Sequence, residues 1–428
     1  MEQKNINRTS LFWASCMSLL VTSLSFGIRA GILNRLGVEF SLNAQQLGTI
    51  AATAFWGFPL AVVIGGFVVD IIGMKRLLVI AFLFHLLGIG LTVFANGYWS
   101  LFLSTLLIGI ANGTVEAACN PLVATIYSEN KTTKLNHFHL WFPGGIVIGT
   151  LIVMLFDQVG LGEQWQWQVA TMFIPTLAYG YLFLKLDFPV TERVASGVST
   201  SSMYKSLLSP LFIFMFICMF GTAITELFTN QWVGVLLKNA SSNALLLLTI
   251  TTGIMVIGRA FAEPIVHRFS PAGVLLASAT LAALGLYMMS TVNGNMLLVA
   301  ALIFGIGVCY FWPTMLGFVS ENLPKTGAVG LNLMGGAGMF AVSIYTIFMG
   351  GFYDNIIAKN LPSGADVAAF RAASAGSTEA TAYANAEFVA GPEVIKATLV
   401  IPIMLVIAFI GLVIYMRGRK KAQAPATA

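Results

Sequence analysis

Charged residues are scarce in this sequence: Asp, Glu, Lys and Arg make up 9% of its 428 residues, whereas hydrophobic residues make up 57%. So little charge cannot cover the surface of a soluble globule of this length. The net charge of +5 therefore indicates membrane topology rather than a surface for nucleic acid. We expect a membrane protein whose surroundings are the lipid bilayer and which has no nucleic-acid partner.

Cysteine is also rare, and all four cysteines lie in apolar runs, at positions Cys16, Cys119, Cys218 and Cys309. Their spacing excludes a disulfide framework and a metal site. The sequence has no nucleophile motif, no His, Asp and Glu spacing typical of a metal centre, and no glycine loop that would hold a phosphate. We therefore expect no metal, no cofactor and no enzymatic activity.

Long hydrophobic runs are abundant. Twelve of them have the length that a helix needs to cross about 30 Å of hydrocarbon. The sequence thus predicts an all-α membrane protein with twelve transmembrane helices. The predicted spans are 11–33, 46–69, 77–95, 99–126, 135–156, 168–186, 207–235, 244–265, 272–292, 296–319, 329–352 and 395–415.

The basic residues of the loops predict the orientation. Most of them fall on the side of the membrane that carries the N-terminus, and the segment 417–428 is a basic tail on that same side. The positive-inside rule places this side in the cytoplasm. We expect a multi-pass protein of the cell (inner) membrane with both termini cytoplasmic and with its first helix as the insertion signal.

The twelve spans divide into two similar halves. A Ser- and Thr-rich linker, 187–206, separates an N-terminal half, 1–186, from a C-terminal half, 207–416. Asn120-Pro121, followed by Ser-Glu-Asn, recurs as Trp312-Pro313 followed by the same three residues, displaced by 192 positions. The segment 353–394 is rich in Ala and Ser, and we expect an external, partly helical, solvated spacer there, with a lid as the alternative.

A signature loop connects spans two and three. It reads Gly66-Phe-Val-Val-Asp70-Ile-Ile-Gly73-Met-Lys75-Arg76. Its glycines permit a tight turn and close helix approach, and its aspartate can pair with a cation. This loop resembles the signature loop of the major facilitator superfamily (MFS), and a degenerate copy runs from Gly258-Arg259 to His267-Arg268. The resemblance implies the MFS fold, in which this loop takes part in gating.

The most informative polar residues lie inside span four. Glu116 stands among apolar residues, with Asn112 and Asn120 four positions away on either side, so all three share one helical face. A carboxylate in hydrocarbon costs at least about 2.5 kcal/mol, and such residues usually face a cavity or a partner. The position 192 residues further on is Val308, so the acid is absent from the repeat. A ligand or a coupling ion explains Glu116 better than helix packing does.

Further candidates occupy other spans, and each has a structural alternative. Arg29 ends a polar stripe in span one and needs an anionic partner, unless it reaches the outer surface. In span five, His139 could relay protons or serve as a hydrogen-bonded structural group. The remaining candidates are Asn136 beside His139, Glu226 and Asn230 in span seven, and Trp312 in span ten, where stacking on a ring and core packing are both plausible.

The run Glu116-Ala-Ala-Cys-Asn120-Pro121, with Lys134-Leu135-Asn136 after it, resembles the fucose:proton symporter family of this superfamily. The segment 40–48 resembles the entry to its second helix. This resemblance implies that Glu116 is the protonatable group facing a sugar and that Asn120 and Asn136 form hydrogen bonds to it. The chain departs from that family in span one, which has no acid and carries Arg29 instead.

The leading hypothesis is secondary active transport, by alternating access, of a sugar or related polyhydroxylated solute together with a proton. The alternative is an organic anion carrier, for a carboxylate or a phosphate ester, that uses Arg29. A remote alternative is a membrane receptor without transport activity. We expect the carrier to act as a monomer whose partners are a small solute and protons.

Overall fold

A computed structural model describes residues 6–42, 44–237, 244–374 and 376–423. Position 43, within the segment that resembles the entry to the second helix, lies outside the described residues. Also outside them are Lys4 and Lys238, two of the basic loop residues on which the predicted orientation rests, and positions 424–428 of the basic tail.

The described residues are almost entirely helical. They include a π-helix, Ile224–Phe228, and a 3-10 helix, Pro324–Thr326. The α-helices are α1 (Arg8–Glu39), α2 (Ala44–Ile72), α3 (Met74–Val93), α4 (Tyr98–Ile126), α5 (Lys131–His139), α6 (Trp141–Gln158), α7 (Trp165–Ala170), α8 (Phe173–Lys185), α9 (Glu192–Ala195), α10 (Thr200–Leu207), α11 (Pro210–Ala223), α12 (Thr229–Leu236), α13 (Ala244–Ala260), α14 (Ala262–Thr291), α15 (Met296–Val308), α16 (Phe311–Asn322), α17 (Gly327–Asn360), α18 (Val367–Arg371) and α19 (Thr378–Gln423).

The all-α membrane fold predicted from the sequence is confirmed. Among the described residues, nine helices are long and apolar enough to cross a membrane, and two shorter apolar helices, Trp56–Ile72 and Leu247–Ala260, accompany them. Each predicted span coincides with helix, including the sixth, which is built from α7 and α8. The chain is therefore a multi-pass membrane protein.

The last helix is much longer than its predicted span. It begins at Thr378, whereas the sequence indicated a start near position 395. Alanine-rich sequence favours helix before the hydrocarbon region is reached. Tyr383, Ala386 and Ala390 form a buried stripe on this added segment. Much of the segment 353–394 is thus helical, as parts of α17, α18 and α19, and its position outside the membrane stays a prediction.

Contacts group the residues into two compact units. The first contains Met1–Ile217, Arg259–Glu263 and Pro313–Met339, and the second contains Cys218–Gly258, Pro264–Trp312 and Phe340–Ala428. The first unit therefore includes short pieces of the predicted C-terminal half. The division into halves at 187–206 stays a prediction.

Glycines bring α2 and α4 close together in the first unit. A Cβ atom on Gly113 would lie 2.2 Å from the carbonyl oxygen of Phe58, and one on Gly65 would lie 2.5 Å from Cβ of Ala117. Transmembrane helices associate closely where small residues allow their backbones to approach. This close contact with α2 fixes the orientation of α4, and with it the direction of the face that carries Asn112 and Glu116.

Candidate functional site

Glu116 is buried in the interior of the first unit. Its exposed fraction is 3%. One turn further along α4, the Asn120 amide nitrogen donates a hydrogen bond to Oε2 of Glu116 at 2.5 Å. The spacing of four residues brings the two side chains together on one face. A charge-assisted bond of this kind offsets part of the cost of burying the carboxylate.

His139 completes a three-residue cluster with Glu116 and Asn120. It is the last residue of α5, where the helix ends before Leu140 and the chain continues as α6. Its Nε2 atom lies 3.0 Å from Oδ1 of Asn120, and its Nδ1 atom lies 3.8 Å from Oε1 of Glu116. The structure therefore brings together three of the residues that the sequence singled out.

The amide of Asn120 determines which nitrogen of His139 carries hydrogen. The amide nitrogen of Asn120 donates a hydrogen bond to Glu116. The amide oxygen therefore faces the imidazole ring and must accept a hydrogen bond from it. Nε2 of His139 is then the donor, and in the neutral ring Nδ1 keeps a lone pair. That lone pair faces Oε1 of Glu116.

Arg259 lies beside this cluster and was not predicted from the sequence as a site residue. It stands near the end of α13 with an exposed fraction of 1%, and its Nη1 atom donates to the backbone carbonyl of His139 at 2.9 Å. The sequence signal for Arg259 was its position inside predicted span eight, where it belongs to the degenerate copy of the signature loop.

Asn112 belongs to a different network, although it shares a helical face with Glu116. Its Oδ1 atom lies 2.8 Å from Nε2 of His85, whose Nδ1 atom lies 2.7 Å from the Tyr179 hydroxyl. Its amide nitrogen donates to Ser25 at 3.2 Å. These bonds join α1, α3, α4 and α8, so the observed contacts of Asn112 are with helices rather than with the acid.

Two asparagine oxygens near the cluster are buried acceptors. Asn136, one turn before His139, donates to the Thr132 carbonyl at 2.9 Å and to Thr314 at 3.3 Å. Asn332 of α17 donates to the Ala117 carbonyl, next to Glu116, at 2.9 Å. Oδ1 of both asparagines lacks a hydrogen-bond partner among the described residues. Asn332 was not identified from the sequence, because an isolated amide in a glycine-rich span gives no periodic pattern.

The candidates from the second half lie in the second unit. Glu226 is buried within the π-helix, which widens the middle of span seven, and such turns are frequent at functional sites. The Asn230 amide nitrogen lies 3.6 Å from the sulfur of Met255. Trp312 is buried at the start of α16. The π-helix was not predicted from the sequence.

An aromatic cluster in the second unit was also not predicted. The rings of Phe228 and Trp232 are stacked with centroids 5.7 Å apart, and Phe228 meets Tyr345 edge-on at 4.9 Å. Trp232 in turn contacts Tyr353 edge-on, at 6.5 Å. Phe228 is the last residue of the π-helix, so the cluster lies directly beside it.

Arg29 lies partly exposed on α1. Its guanidinium carbon is 5.1 Å from the centre of the Phe26 ring, a cation–π distance. Among the residues with described side chains, the ion pairs do not include one from Arg29 to Glu116. The arginine that contacts the acid cluster is Arg259, through the backbone carbonyl of His139.

The signature loop is tied to the central linker. Nε of Arg193, in the short helix α9, donates to Oδ2 of Asp70 at 2.6 Å, and the Thr191 hydroxyl donates to the other carboxylate oxygen. Gly73 has a positive φ of 85°, which explains the glycine at the turn before α3. Lys75 donates to the carbonyls of Leu184 and Leu186, each at 2.9 Å.

The other loop residues have different surroundings. A Cβ atom on Gly66 would lie 2.6 Å from Cβ of Asn332, so this glycine permits close approach of α2 and α17. Arg76 is exposed.

The first turn of α5 also makes a dense set of contacts. Lys131 donates to both carboxylate oxygens of Glu192, at 2.8 and 2.7 Å, and to the Ser320 carbonyl at 3.2 Å. The backbone nitrogen and the hydroxyl of Thr132 donate to Oε1 of Glu321, at 2.9 and 2.6 Å. A carboxylate at the start of a helix is favoured by the free N–H groups there. Linker, α5 and α16 are thus held together at one end of α5.

Similarity to known proteins decides the family. The sequence profile of the Major Facilitator Superfamily matches residues 15–352. The chain belongs to the Major Facilitator Superfamily. The family predicted from the signature loop is therefore confirmed.

Curated relatives are distant. The chain is 23% identical over 192 residues to a TsgA homolog of Buchnera aphidicola (subsp. Schizaphis graminum), which covers 44% of this chain and 49% of that protein. It is 21% identical over 213 residues to the putative niacin/nicotinamide transporter NiaP of Bacillus subtilis, covering 49% of this chain and 51% of NiaP. The chain thus spans about half the length of these relatives.

Solved structures share the fold along nearly the whole chain. The E. coli fucose:proton symporter FucP is similar with a TM-score of 0.68 and 16% identity, over 92% of this chain and 98% of FucP. The proton:xylose symporter XylE is similar with a TM-score of 0.71 and 14% identity, over 93% of this chain and 96% of XylE. At these identities the likeness establishes the fold alone.

Proposed function

We propose that this protein is a proton-coupled symporter of a sugar or related polyhydroxylated solute that works by alternating access. The observation that carries the proposal is the buried cluster of Glu116, Asn120 and His139, with Glu116 as the group that takes and releases the proton. Both FucP and XylE, which share the fold, are named as proton symporters of sugars.

The geometry of the cluster suits a carboxyl group that alternates between two states. When Glu116 is ionised, Asn120 donates to Oε2. When Oε1 carries a proton, the O–H faces the lone pair on Nδ1 of His139, now 3.8 Å away, and a small movement brings the two within hydrogen-bond distance. Each state therefore has a partner, which matters because an unsatisfied buried polar group costs about 1–3 kcal/mol.

Solute hydroxyls need acceptors as well as donors. Oδ1 of Asn136 and Oδ1 of Asn332 are buried, and neither oxygen accepts a hydrogen bond from the described part of the chain. Asn136 lies one helical turn before His139 on α5. Asn332 contacts the backbone of Ala117, the residue after Glu116. We propose that the two oxygens accept hydrogen bonds from the hydroxyls of the bound solute. We also propose that Glu226, Asn230 and Trp312 take part in solute binding.

We also propose a gating role for the signature loop. Alternating access requires contacts that form in one state and break in the other. The bonds from Asp70 to Arg193, and from Thr132 to Glu321, are candidates, because they tie the loop and α5 to other segments of the first unit. We further propose that the carrier is a monomer of the inner membrane with both termini in the cytoplasm.

Uptake into proteoliposomes tests the proposal. We expect a panel of radiolabelled sugars and sugar derivatives to contain at least one solute that accumulates above equilibrium only under an inward proton gradient. Glu116→Gln, which keeps the shape and loses the titratable group, should abolish this accumulation but retain exchange of solute across the membrane. Glu393→Gln is the matched control, since Glu393 is half exposed and pairs with Lys396. Accumulation that Glu116→Gln leaves intact would refute the proton role.

A further inference from the structure

Pro121 interrupts the hydrogen bonds of α4 beside Glu116. It lies inside this helix, which runs from Tyr98 to Ile126. Proline has no N–H group, so the carbonyl four residues earlier loses its helical donor. That carbonyl belongs to Ala117, the residue after Glu116, and Ala117 is fully buried. Because a buried carbonyl without a donor is unfavourable, α4 needs a hydrogen-bond donor from another segment at this point.

Asn332 of α17 is that donor. Its amide nitrogen bonds to the Ala117 carbonyl at 2.9 Å, and the residue is 1% exposed. Close packing of α17 on α2 accompanies this bond: a Cβ atom on Gly336, one turn further along α17, would lie 2.5 Å from the side chain of Val63 in α2. Gly66 permits the same close approach beside Asn332 itself. The asparagine therefore supplies the hydrogen bond that the proline removes from α4.

The second copy of the repeat does not need such a bond. Pro313 corresponds to Pro121, but α16 begins at Phe311, so Pro313 lies in the first turn of its helix. The N–H groups of a first turn have no acceptor within the helix, so a proline there leaves no helical carbonyl without its donor. Asn136, which like Asn332 is the sixth residue of its helix, donates to other groups. The contact between an asparagine and a freed carbonyl thus belongs to the copy that carries the acid.

We propose that the bond from Asn332 to the Ala117 carbonyl is a switch contact, made in this structure and broken when this part of α17 leaves α4 during transport, and that through it Asn332 positions Glu116. The inference rests on the proposed function and adds a coupling step to it. Asn332 is held through its amide nitrogen, since its amide oxygen has no partner among the described residues. Separation of the two helices therefore costs this side chain one hydrogen bond, and entering water replaces the lost donor.

The switch acts on Glu116 through the backbone of α4. While the Ala117 carbonyl is bonded, α4 is fixed one residue from the acid, and Oε1 of Glu116 lies 3.8 Å from Nδ1 of His139. A protonated carboxyl needs a shorter distance to this nitrogen. Once Asn332 has left, α4 can bend at the proline and supply that movement. Protonation of Glu116 therefore favours the broken contact, and the broken contact favours protonation in return.

Replacement of the proline tests the pairing. Pro121→Ala supplies an N–H to the Ala117 carbonyl, so it should compensate for the loss of Asn332. Asn332→Leu, which is similar in size and has no donor, should lower the melting temperature of the purified full-length protein, and the double variant should recover at least half of that loss. Asn332→Ala takes its place if the leucine variant does not fold. Pro402→Ala, at a proline inside α19, is the matched control and should recover none of the loss. No recovery by Pro121→Ala would refute the pairing.

Hydrogen exchange of the full-length protein tests the switch. The Thr132 N–H, which bonds to Glu321 at 2.9 Å, exchanges when α5 and α16 separate. Asn332→Leu should raise exchange in the first turn of α5 at least threefold and leave α3 unchanged, and addition of Pro121→Ala should reverse the increase. An equal increase in both helices, or no increase in α5, would show that the bond has only a structural role.

Uptake into proteoliposomes over a range of pH tests the effect on Glu116, with radiolabelled D-glucose, D-xylose and D-glucitol as probes. The pH of half-maximal uptake should rise by at least half a unit in Asn332→Leu and return in the double variant with Pro121→Ala. Solute affinity should stay low in the double variant, because the proposed acceptor oxygen of Asn332 is still missing.

The outcomes separate the inference from the function on which it rests. An unchanged pH dependence in Asn332→Leu, while the proton gradient still drives wild-type uptake, would overturn the positioning role and leave the proposed function standing. If the gradient drives uptake of none of the probes, the proposed function fails for these solutes. The melting and exchange measurements then still decide whether Asn332 and Pro121 form a switch.

Discussion

The bond between Asp70 and Arg193 predicts a measurable coupling between the signature loop and the linker. The two side chains are 6% and 11% exposed, and the N–O distance is 2.6 Å. A charge-assisted hydrogen bond contributes about 1.5–3 kcal/mol, and water screens this nearly buried pair only weakly. We expect Asp70→Asn and Arg193→Gln each to destabilise the protein, and the double variant to be less destabilised than the sum, with a coupling energy of about 1.5–3 kcal/mol.

Equilibrium unfolding of the four proteins in mixed micelles, followed by tryptophan fluorescence, gives the coupling energy. The chain provides its own control in the pair Arg371 and Asp354, whose side chains are 59% and 58% exposed at 3.2 Å. Exposed pairs contribute about 0–1 kcal/mol, so the same double-variant experiment on them should give a coupling below that of the loop pair. A coupling energy within about 0.5 kcal/mol of zero for Asp70 and Arg193 would refute the reasoning.

Two further predictions concern the first unit. Gly113→Ala should destabilise the protein by several degrees in melting temperature, because its Cβ would lie 2.2 Å from the Phe58 carbonyl oxygen, whereas Gly411→Ala, with no atom within 4 Å of the added Cβ, should not. Equal melting temperatures of these two variants would show that α2 and α4 are not closely packed. Thr132→Val removes the hydrogen bond from the Thr132 hydroxyl to Glu321. This substitution should change the transport rate more than the solute affinity. Stopped-flow uptake over a range of solute concentrations measures both quantities. An altered affinity at an unchanged rate would contradict a gating role for this bond.

The fold was largely predictable from the sequence. Twelve long apolar runs, the basic loops and the Gly66 to Arg76 loop sufficed to predict an all-α membrane protein of this superfamily. The pairing of Glu116 with Asn120 was equally accessible, because residues four positions apart on a helix are neighbours. Local periodicity carries this information without any knowledge of how the helices meet.

Contacts between distant segments could not be predicted in the same way. Asn112 shares a face with Glu116 in sequence, yet its amide bonds to His85 and Ser25, since α4 is surrounded by several helices. Arg259 is separated from Glu116 by more than a hundred residues in the sequence. The repeat between the halves predicted that Arg259 belongs to a copy of the signature loop, and it did not predict that its charge is buried. The choice between Arg29 and Arg259 as the cation near the acid depends on tertiary packing alone.

The most direct test of the proposed mechanism is the proton flux that the solute itself induces. Proteoliposomes loaded with a pH-sensitive dye, with no imposed gradient, should acidify internally when a transported solute is added outside. The initial proton flux should match the solute flux in number. Glu116→Gln should abolish the pH change while solute still equilibrates. Internal acidification by Glu116→Gln at the wild-type rate would contradict the central claim that Glu116 carries the coupled proton.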